Sequence, residues 1–403
     1  MRISGTICMA QIVPCGLLIT AIFLVLITVT CKIYPKNSGS NTSTVDSQTY
    51  NSDDLEGNID SELVTMANFP VHIAFTPDGR LFYNEFQTGN INIFSHGEIS
   101  LFTHIDIFSM IECGLLGIAI DPDFVENHYI YVYFVEPVEK RNDIGHPVIV
   151  RFTEVDGKAH DPEIIVADLP NTNPIICGHV AGGLNFGPDG FLYFSIGEME
   201  FKDPAQDLNS SLGKIHRINK KDGSAAPGNP FINKFNADHR IYAFGLRNTF
   251  DFTFHPITGD MYGSENGLGN CDELNLIKPG GNYGHPISSF EQDYPKCLDR
   301  FGVKPIYLYS KPGIPPEVYP SNVAPTGLQF VSSEVYPNIG DALLTCEWIT
   351  GYMRRILFDD KFEDKVIDDS ILTSDCRLDI VTDPNGVIYY SNPREIRRLI
   401  PTH

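Results

Sequence analysis

Six segments of the chain share one pattern of apolar and polar positions. Each begins with an apolar or β-prone residue, continues with a turn built from Pro and Asp, Asn or Gly, and ends in an alternating apolar run. Proline presets φ for such a turn and glycine accepts positive φ. Alternation with a period of two is typical of a half-buried strand. The segments start at Phe75, Ile120, Phe186, Phe254, Val335 and Thr382.

The spacing of these segments indicates the architecture. Their interval of roughly 45 to 80 residues is near or above the length of a four-stranded propeller blade. No long amphipathic helical pattern interrupts them, which argues against βαβ units. We therefore predict an all-β fold, a six-bladed β-propeller over residues 61–403, with a central channel lined by the inner strands. A β-sandwich would explain the turns but not six similar copies.

The N-terminal segment has a different pattern. No residue from Ile3 to Cys31 is charged, and this stretch exceeds the roughly 20 residues that cross a bilayer as a helix. We predict a signal-anchor or transmembrane helix over residues 1–32 and a flexible polar tether over 33–60. The propeller would then be membrane-anchored on the extracellular or periplasmic side. A cleaved signal peptide is the alternative, and the domain would then be secreted.

Composition adds two constraints. The formal net charge is -22, and an acidic surface repels phosphate backbones, so we expect no nucleic-acid partner. Six cysteines lie after the apolar segment, and an even number permits disulfides in an exported domain. Cys271 and Cys297 are the closest of these in sequence and are the best candidates for one bridge. Free buried thiols are the alternative.

Five stretches are more specific than the turns, and together they resemble the glucose/sorbosone dehydrogenase family. Its members are quinoprotein sugar dehydrogenases that use pyrroloquinoline quinone (PQQ) and Ca²⁺. The resemblance extends from Val64 to Leu399 and implies a propeller that carries the cofactor on its top face and oxidises aldose sugars at C1. The stretches are ECGLLGIAIDPDF (112–124), HVAGGLNFGPDG (179–190), AQDLNSSLGKIHRIN (205–219), IYAFGLRNTFDFTFHPITG (241–259) and SENGLGNCDELNLIKPGGNYGHP (264–286).

The resemblance also implies the catalytic residues. His179 corresponds to the base that removes the proton of the C1 hydroxyl while hydride passes to the quinone carbon; imidazole suits this because its ordinary pKa lies near neutrality. Glu198 occupies the position of the acidic partner that orients the ring. Arg247 and Asn248 would hold a quinone oxygen as it gains negative charge.

The remaining predicted site residues bind the cofactor and the metal. Glu112, Thr350 and Arg377 match positions at the cofactor. In the metal loop, the backbone carbonyls of Gly267 and Leu268 would bind Ca²⁺, which prefers oxygen ligands. The acidic residues of the same loop would bind or orient the metal; they are Asp272 and Glu273.

The sequence departs from the family pattern where cationic groups bind the PQQ carboxylates. Gly183 replaces a basic or amide residue, Thr350 stands where Lys is often found, and Cys376 and Leu378 flank Arg377 where arginines are expected. Buried carboxylates without partners are costly. Two further functions therefore stay open: a non-catalytic propeller that binds a carbohydrate or protein, and a Ca²⁺-dependent lactonase-type hydrolase.

The expected partners follow from the predicted reaction. They are an aldose substrate, a quinone or other electron acceptor, and the membrane through the N-terminal helix. The chain contains no CxxCH motif for haem attachment, so electrons would pass to another protein or a soluble acceptor.

Overall fold

A computed structural model describes residues 59–201, 203–269, 271–286, 297, 301–310, 322–359 and 362–401. The predicted transmembrane helix and nearly all of the predicted tether lie outside these residues. Within the described part of the chain, no helix has the length and apolar character needed to cross a bilayer.

The described residues form six antiparallel sheets of four strands each, which confirms the predicted all-β propeller. In blade 1 the strands are β2 (Pro70–Phe75), β3 (Leu81–Glu85), β4 (Asn90–Ser95) and β5 (Glu98–His104). In blade 2 they are β6 (Leu115–Ile120), β7 (Tyr129–Pro137), β8 (Gly145–Val155) and β9 (Lys158–Val166). In blade 3 they are β10 (Leu184–Phe186), β11 (Leu192–Ile196), β12 (Lys214–Ile218) and β13 (Ile241–Phe244).

The other three blades repeat this plan. In blade 4 the strands are β14 (Thr249–Phe254), β15 (Met261–Glu265), β16 (Glu273–Ile277) and β17 (Tyr307–Leu308). In blade 5 they are β18 (Pro325–Val331), β19 (Ala342–Glu347), β20 (Met353–Asp359) and β21 (Phe362–Thr373). In blade 6 they are β22 (Ile380–Thr382), β23 (Ile388–Asn392), β24 (Glu395–Leu399) and β1 (Ser61–Met66). A single helical turn, α1 (Phe124–Asn127), lies in the first turn of blade 2.

The Pro-Asp-Gly turns connect the first and second strands of the blades, as their pattern predicts. Gly79 and Gly190 both have positive φ, +83 and +76, and both are surrounded by open space. Glycine is therefore required there by backbone conformation rather than by packing. The second strands are the most completely buried: β7 reads YIYVYFVEP with six consecutive buried residues, because both of its faces pack against neighbouring blades.

Blade 6 closes the ring by combining the two ends of the described chain. β1 pairs with β24 through five residue pairs, so strands from opposite ends of the sequence share one sheet. The innermost strands β2, β6, β10, β14, β18 and β22 contact one another around the channel. We call the side on which these inner strands begin the top face. By the alternation of strand direction, the second strands end on it and the third strands begin on it.

Three disulfides join described residues. They are Cys113–Cys177, Cys271–Cys297 and Cys346–Cys376. The second is the pairing predicted from the sequence, and the prediction is confirmed. All six sulfur-bearing residues are buried.

Candidate active site

His179 lies in the loop that leads into β10, at the top face. Its backbone is left-handed, with φ +52, which costs a residue with a Cβ about 1–2 kcal/mol. Two constraints hold it there. Its backbone N–H donates to Glu112 Oε2 at 2.6 Å, and Cys177, two residues earlier, is bonded to Cys113. The structure therefore places Glu112 beneath the loop of His179, where it positions the backbone.

The two ring nitrogens of His179 have different partners. Nδ1 lies 2.6 Å from Glu198 Oε1, so Nδ1 carries the hydrogen and donates it to the carboxylate. Nε2 keeps its lone pair, and Arg247 Nη2 donates to it at 2.8 Å. His179 and Glu198 are both buried. A histidine ring that is oriented by a carboxylate at Nδ1 and presents Nε2 to the site is the arrangement that a general base requires.

A second carboxylate, which the sequence analysis missed, lies beside the same ring. Glu200 Oε1 is 3.2 Å from His179 Nε2. Met199 and Glu200 have φ +52 and +60, and this left-handed turn directs the chain back over the ring after β11. Neither residue type predicts such a turn, so no sequence signal identified Glu200. The ligand atoms of His179, Glu198 and Glu200 lie within 4.8 Å of one another.

Arg247 connects the histidine to the predicted metal loop. Its Nη1 donates to the carbonyls of Asn266 at 2.8 Å and Gly267 at 3.3 Å. Glu265, also missed by the sequence analysis, holds this segment: its Oε1 accepts from the backbone N–H of Arg247 at 2.6 Å and of Asn248 at 3.0 Å. Asn248 is buried, and its Oδ1 has no hydrogen-bond partner among the described residues.

The metal loop surrounds a cavity of the right size for one ion. The cavity has a volume of about 10 Å³, close to that of a single water-sized sphere. Gly267 is required there by close approach, because a Cβ would lie 1.7 Å from the carbonyl oxygen of Cys271. The residues that line the cavity are Gly245, Arg247, Glu265, Gly267, Leu268, Glu273, Tyr283 and His285.

Asp272 does not line that cavity. Its Oδ2 accepts from the backbone N–H of Val323 at 2.7 Å and of Ala324 at 2.9 Å. Burial raises the pKa of this carboxyl to about 7, because the charged form is poorly solvated. In this structure Asp272 holds the connection into β18. Glu273, the next residue, lines the ion-sized cavity.

The predicted cofactor residues of blades 5 and 6 also lie at the top face. Thr350 Oγ1 donates to Glu347 Oε2, and Arg377 Nη1 donates to the carbonyls of Trp348 and Ile349. Glycine is needed at position 351 because a Cβ there would lie 2.8 Å from Arg377 Nη2. Thr350 therefore secures the 347–351 turn, and Arg377 remains partly exposed beside it.

Other basic residues near this face are committed to structural roles. Lys214 is fully buried, and its Nζ donates to three backbone carbonyls, at 2.7 to 2.9 Å. Burial lowers its pKa to about 7, while three acceptors around one nitrogen favour the ammonium form. Arg354 is paired with Glu347 at 2.6 Å and Asp369 at 2.7 Å. Neither side chain is available to a ligand.

The donor set fits Ca²⁺ and the dione end of a quinone. Two carboxylate residues and the two predicted carbonyl residues line the ion-sized cavity, together with the guanidinium of Arg247, and a base and a buried amide lie next to that guanidinium. For the three PQQ carboxylates, the top-face guanidinium groups that show no salt bridge among the described residues are Arg247, Arg377 and Arg394, the last exposed in the turn between β23 and β24. The site therefore suits the reactive end of the cofactor better than its anionic end.

A second cavity lies elsewhere. It has a volume of about 860 Å³, is formed by the loop after β9 and the loops of blade 3, and contains none of the predicted site residues. Polar and charged side chains form most of its lining, including Asp168, Asp207, Asp238 and Arg240.

The model of the family described as Glucose / Sorbosone dehydrogenase matches residues 67–400. The quinoprotein glucose dehydrogenase B of Acinetobacter calcoaceticus is 29% identical over 267 residues, which cover 59% of this chain and 54% of that protein. The chain thus spans about half the length of this relative. Human hedgehog-interacting protein is 27% identical over 157 residues, 34% of this chain and 22% of that protein.

A solved structure gives the same fold. The soluble aldose sugar dehydrogenase of Escherichia coli, in its apo-form, superposes with a TM-score of 0.74, covers 85% of this chain and 100% of that chain, and is 22% identical. At this sequence identity, the similarity supports the six-bladed propeller fold and carries no statement about activity.

Proposed function

This chain belongs to the glucose/sorbosone dehydrogenase family, and on that premise we propose that it is a quinoprotein that oxidises aldose sugars at C1 with PQQ and Ca²⁺. The observation that supports the proposal is the contact chain Glu198–His179–Arg247–Gly267, which joins a base, its orienting carboxylate, a guanidinium and a metal-loop carbonyl. When bound, PQQ supplies the carbon that takes up the hydride, and Ca²⁺ polarises the quinone carbonyl.

The chain's own residues handle the proton. Nε2 of His179 would take the proton of the C1 hydroxyl, and the imidazolium that forms would be stabilised by Glu198 at Nδ1. Arg247 now donates to Nε2, and a nitrogen that accepts one hydrogen bond there cannot accept the substrate's proton. Turnover therefore requires Arg247 to leave Nε2 when cofactor and substrate enter. The carbonyls of Gly267 and Leu268 would hold Ca²⁺, with Glu273 nearby.

The test is reconstitution of the purified full-length chain with PQQ and Ca²⁺. We expect a cofactor absorption spectrum and dye reduction that depends on an aldose. His179→Gln should lower turnover at least about 100-fold, since positioned acid–base catalysis contributes 10²–10⁴-fold, while leaving thermal unfolding unchanged. His239→Gln, at an exposed histidine on the outer wall, is the matched control. No bound PQQ and no activity over a broad sugar panel would exclude the proposal.

A second candidate is a propeller that binds a carbohydrate or protein without catalysis. The observation in its favour is the surplus of carboxylates at His179, where Glu112, Glu198 and Glu200 meet a single guanidinium group. Sugar binding that persists in the His179→Gln variant and needs no PQQ would support it.

We also propose that the propeller is exported and membrane-anchored, and passes electrons to a quinone or another acceptor. Three disulfides are typical of an oxidising compartment, and the uncharged segment 3–31 is long enough to span a bilayer. Protease treatment of intact cells tests this proposal: an anchored external domain is degraded from outside, whereas a cytoplasmic one is protected.

A further inference from the structure

The inner strands bring one position from each blade to the same level of the central channel. In five blades this position lies five residues before the proline of the first turn, and it is occupied by His72, Gly117, Gly183, Asp251 or Asp379. Blade 5 contributes Gly327, where a Cβ would lie 2.6 Å from Asp379 Oδ1. Three glycines thus leave space at a level where the other three blades place an imidazole and two carboxylates.

The histidine at this level is oriented towards the carboxylates. His72 Nδ1 lies 2.6 Å from the carbonyl oxygen of Leu116, so Nδ1 carries a hydrogen. Asn84 fixes both partners, because its side chain accepts from the His72 backbone N–H and donates to the Leu116 carbonyl, each at 2.8 Å. A carbonyl on one ring nitrogen is the usual support of a histidine that binds a metal through the other.

The other ring nitrogen has no hydrogen-bond partner among the described residues, although it is buried. His72 Nε2 lies 3.9 Å from Asp251 Oδ1, which is too far for a hydrogen bond. One ligand atom from each of His72, Asp251 and Asp379 lies within 4.8 Å of the others. With metal–ligand distances of about 2.0–2.2 Å, an ion placed between a nitrogen and an oxygen 3.9 Å apart reaches both.

The carboxylates keep lone pairs for such an ion. Asp379 Oδ2 accepts from the Ile73 N–H and Oδ1 from the Ile380 N–H, each at 2.8 Å, and these bonds fix its orientation. Bound to a metal through Nε2, His72 would be neutral, so the three ligands together would carry a charge of −2, which a divalent cation neutralises.

We propose that His72, Asp251 and Asp379 form a structural site for a divalent transition metal of the Zn²⁺ class in the central channel. The imidazole ligand favours Zn²⁺ over Ca²⁺, which prefers oxygen. The three residues are 6%, 8% and 2% exposed, so a sugar or lactone cannot reach them. The ion would link blades 1, 4 and 6, and blades 1 and 4 face each other across the ring.

Zn²⁺ alone is the probe. The full-length chain is stripped with a chelator, titrated with Zn²⁺, desalted and measured for bound metal and for thermal unfolding. We expect one tightly bound equivalent and a higher unfolding temperature. Asp251→Asn and His72→Gln should each weaken binding of Zn²⁺ at least about 100-fold. Loss of a residue that only supports a metal ligand weakens binding by up to about 100-fold, so loss of a ligand itself should cost at least as much.

Two further variants make the result decisive. Gly327→Ala keeps all three ligand residues, but its methyl group would lie 2.6 Å from Asp379 Oδ1 and should displace that carboxylate, so it should also weaken binding of Zn²⁺. Glu200→Gln is the matched control, because the cluster of His179, Glu198 and Glu200 could also bind a metal; it should leave the stoichiometry at one. Absence of tight Zn²⁺ binding to the unaltered chain would overturn the proposal, as would loss of the equivalent in Glu200→Gln alone. This outcome is independent of sugar oxidation.

Discussion

At the scale of single residues, the hydrogen-bond partners of each buried histidine decide its chemistry. His179 donates to a carboxylate and keeps a basic nitrogen at the top face. His72 has a carbonyl on Nδ1 and presents Nε2 to Asp251, in a buried cluster that also contains Asp379. His216 lies fully buried against the ring of Phe194 and has one partner, the Ser211 carbonyl at 2.9 Å. We therefore propose that the same side chain serves as a base at His179 and as a metal ligand at His72, while at His216 it is a packing element.

His216 predicts a specific acid lability. Burial lowers its pKa from 6.5 to about 4, so between these pH values the unfolded chain binds a proton that the folded chain does not. Stability is therefore complete above pH 6.5 and declines as the pH falls towards 4, by at most about 3 kcal/mol. His216→Phe keeps the stacked ring and should flatten this decline in urea unfolding measured across the pH range.

The control for this prediction is His239→Asn, which alters an exposed histidine of the same blade. It should leave the acid decline unchanged. If His216→Phe loses stability with acid as steeply as the unaltered chain, the decline arises from other groups and the prediction is wrong.

The sequence analysis identified site residues that lie within a recognisable motif. It missed residues whose position depends on backbone conformation or on the register of strands. His179, Arg247 and Gly267 were found because each lies in a distinctive stretch, and the structure brings them into contact. Glu200 was missed because a left-handed turn directs it. The channel cluster was missed for another reason. Its members are at least 128 residues apart in sequence, and only the register of the inner strands brings them together, which no local pattern reveals. Their shared distance from the turn proline becomes meaningful only once the inner strands are known.

At the scale of elements, the connections between blades determine the site more than the strands do. The disulfide Cys113–Cys177 joins the loop before β6 to the loop before β10. Glu112 lies in the first loop and His179 in the second, and the backbone N–H of His179 donates a hydrogen bond to the Glu112 carboxylate. The disulfide thus holds together two blades and the pair of residues that present the histidine.

Removing this bridge should cost stability. Its cysteines are 64 residues apart in sequence. Closing a loop of that length lowers the entropy of the unfolded chain and so raises its free energy by about 4 kcal/mol at 25 °C. The double variant Cys113→Ala and Cys177→Ala should therefore unfold at lower denaturant concentration, by roughly 2–4 kcal/mol. Alanine leaves no unpaired hydroxyl in the buried site.

Reduction provides the control for the disulfide prediction. A reductant should destabilise the unaltered chain more than the double variant, because the variant has one bridge fewer to lose. A variant within about 0.5 kcal/mol of the unaltered chain, the range of neutral substitutions, would show that the packing of the two loops suffices without the bond.

At the scale of the whole molecule, the six turns were enough to predict the propeller, because each turn marks a strand pair that must pack against its neighbours. What the turns could not show is how the ring closes. β1 contains the polar and weakly apolar run SELVTM and carries no turn signal, so its pairing with β24 follows from the last blade having three strands of its own. Edge pairing across the chain ends removes an otherwise open sheet edge.

This closure predicts a sharp boundary for N-terminal truncation. A chain that begins at Ile59 keeps β1 and the hydrogen bond from Ile400 N–H to the Asp60 carbonyl, and it should unfold at the same temperature as the full-length protein. A chain that begins at Ala67 loses five residue pairs with β24 and the contacts of Arg397 with Ser61. With about 1 kcal/mol per backbone hydrogen bond, it should be destabilised by about 3–5 kcal/mol and expose β24 as a free edge that promotes association. Thermal unfolding and light scattering of the two truncations decide the matter: equal stability of both would mean that the ring is held by blade-to-blade packing and not by its shared sixth sheet.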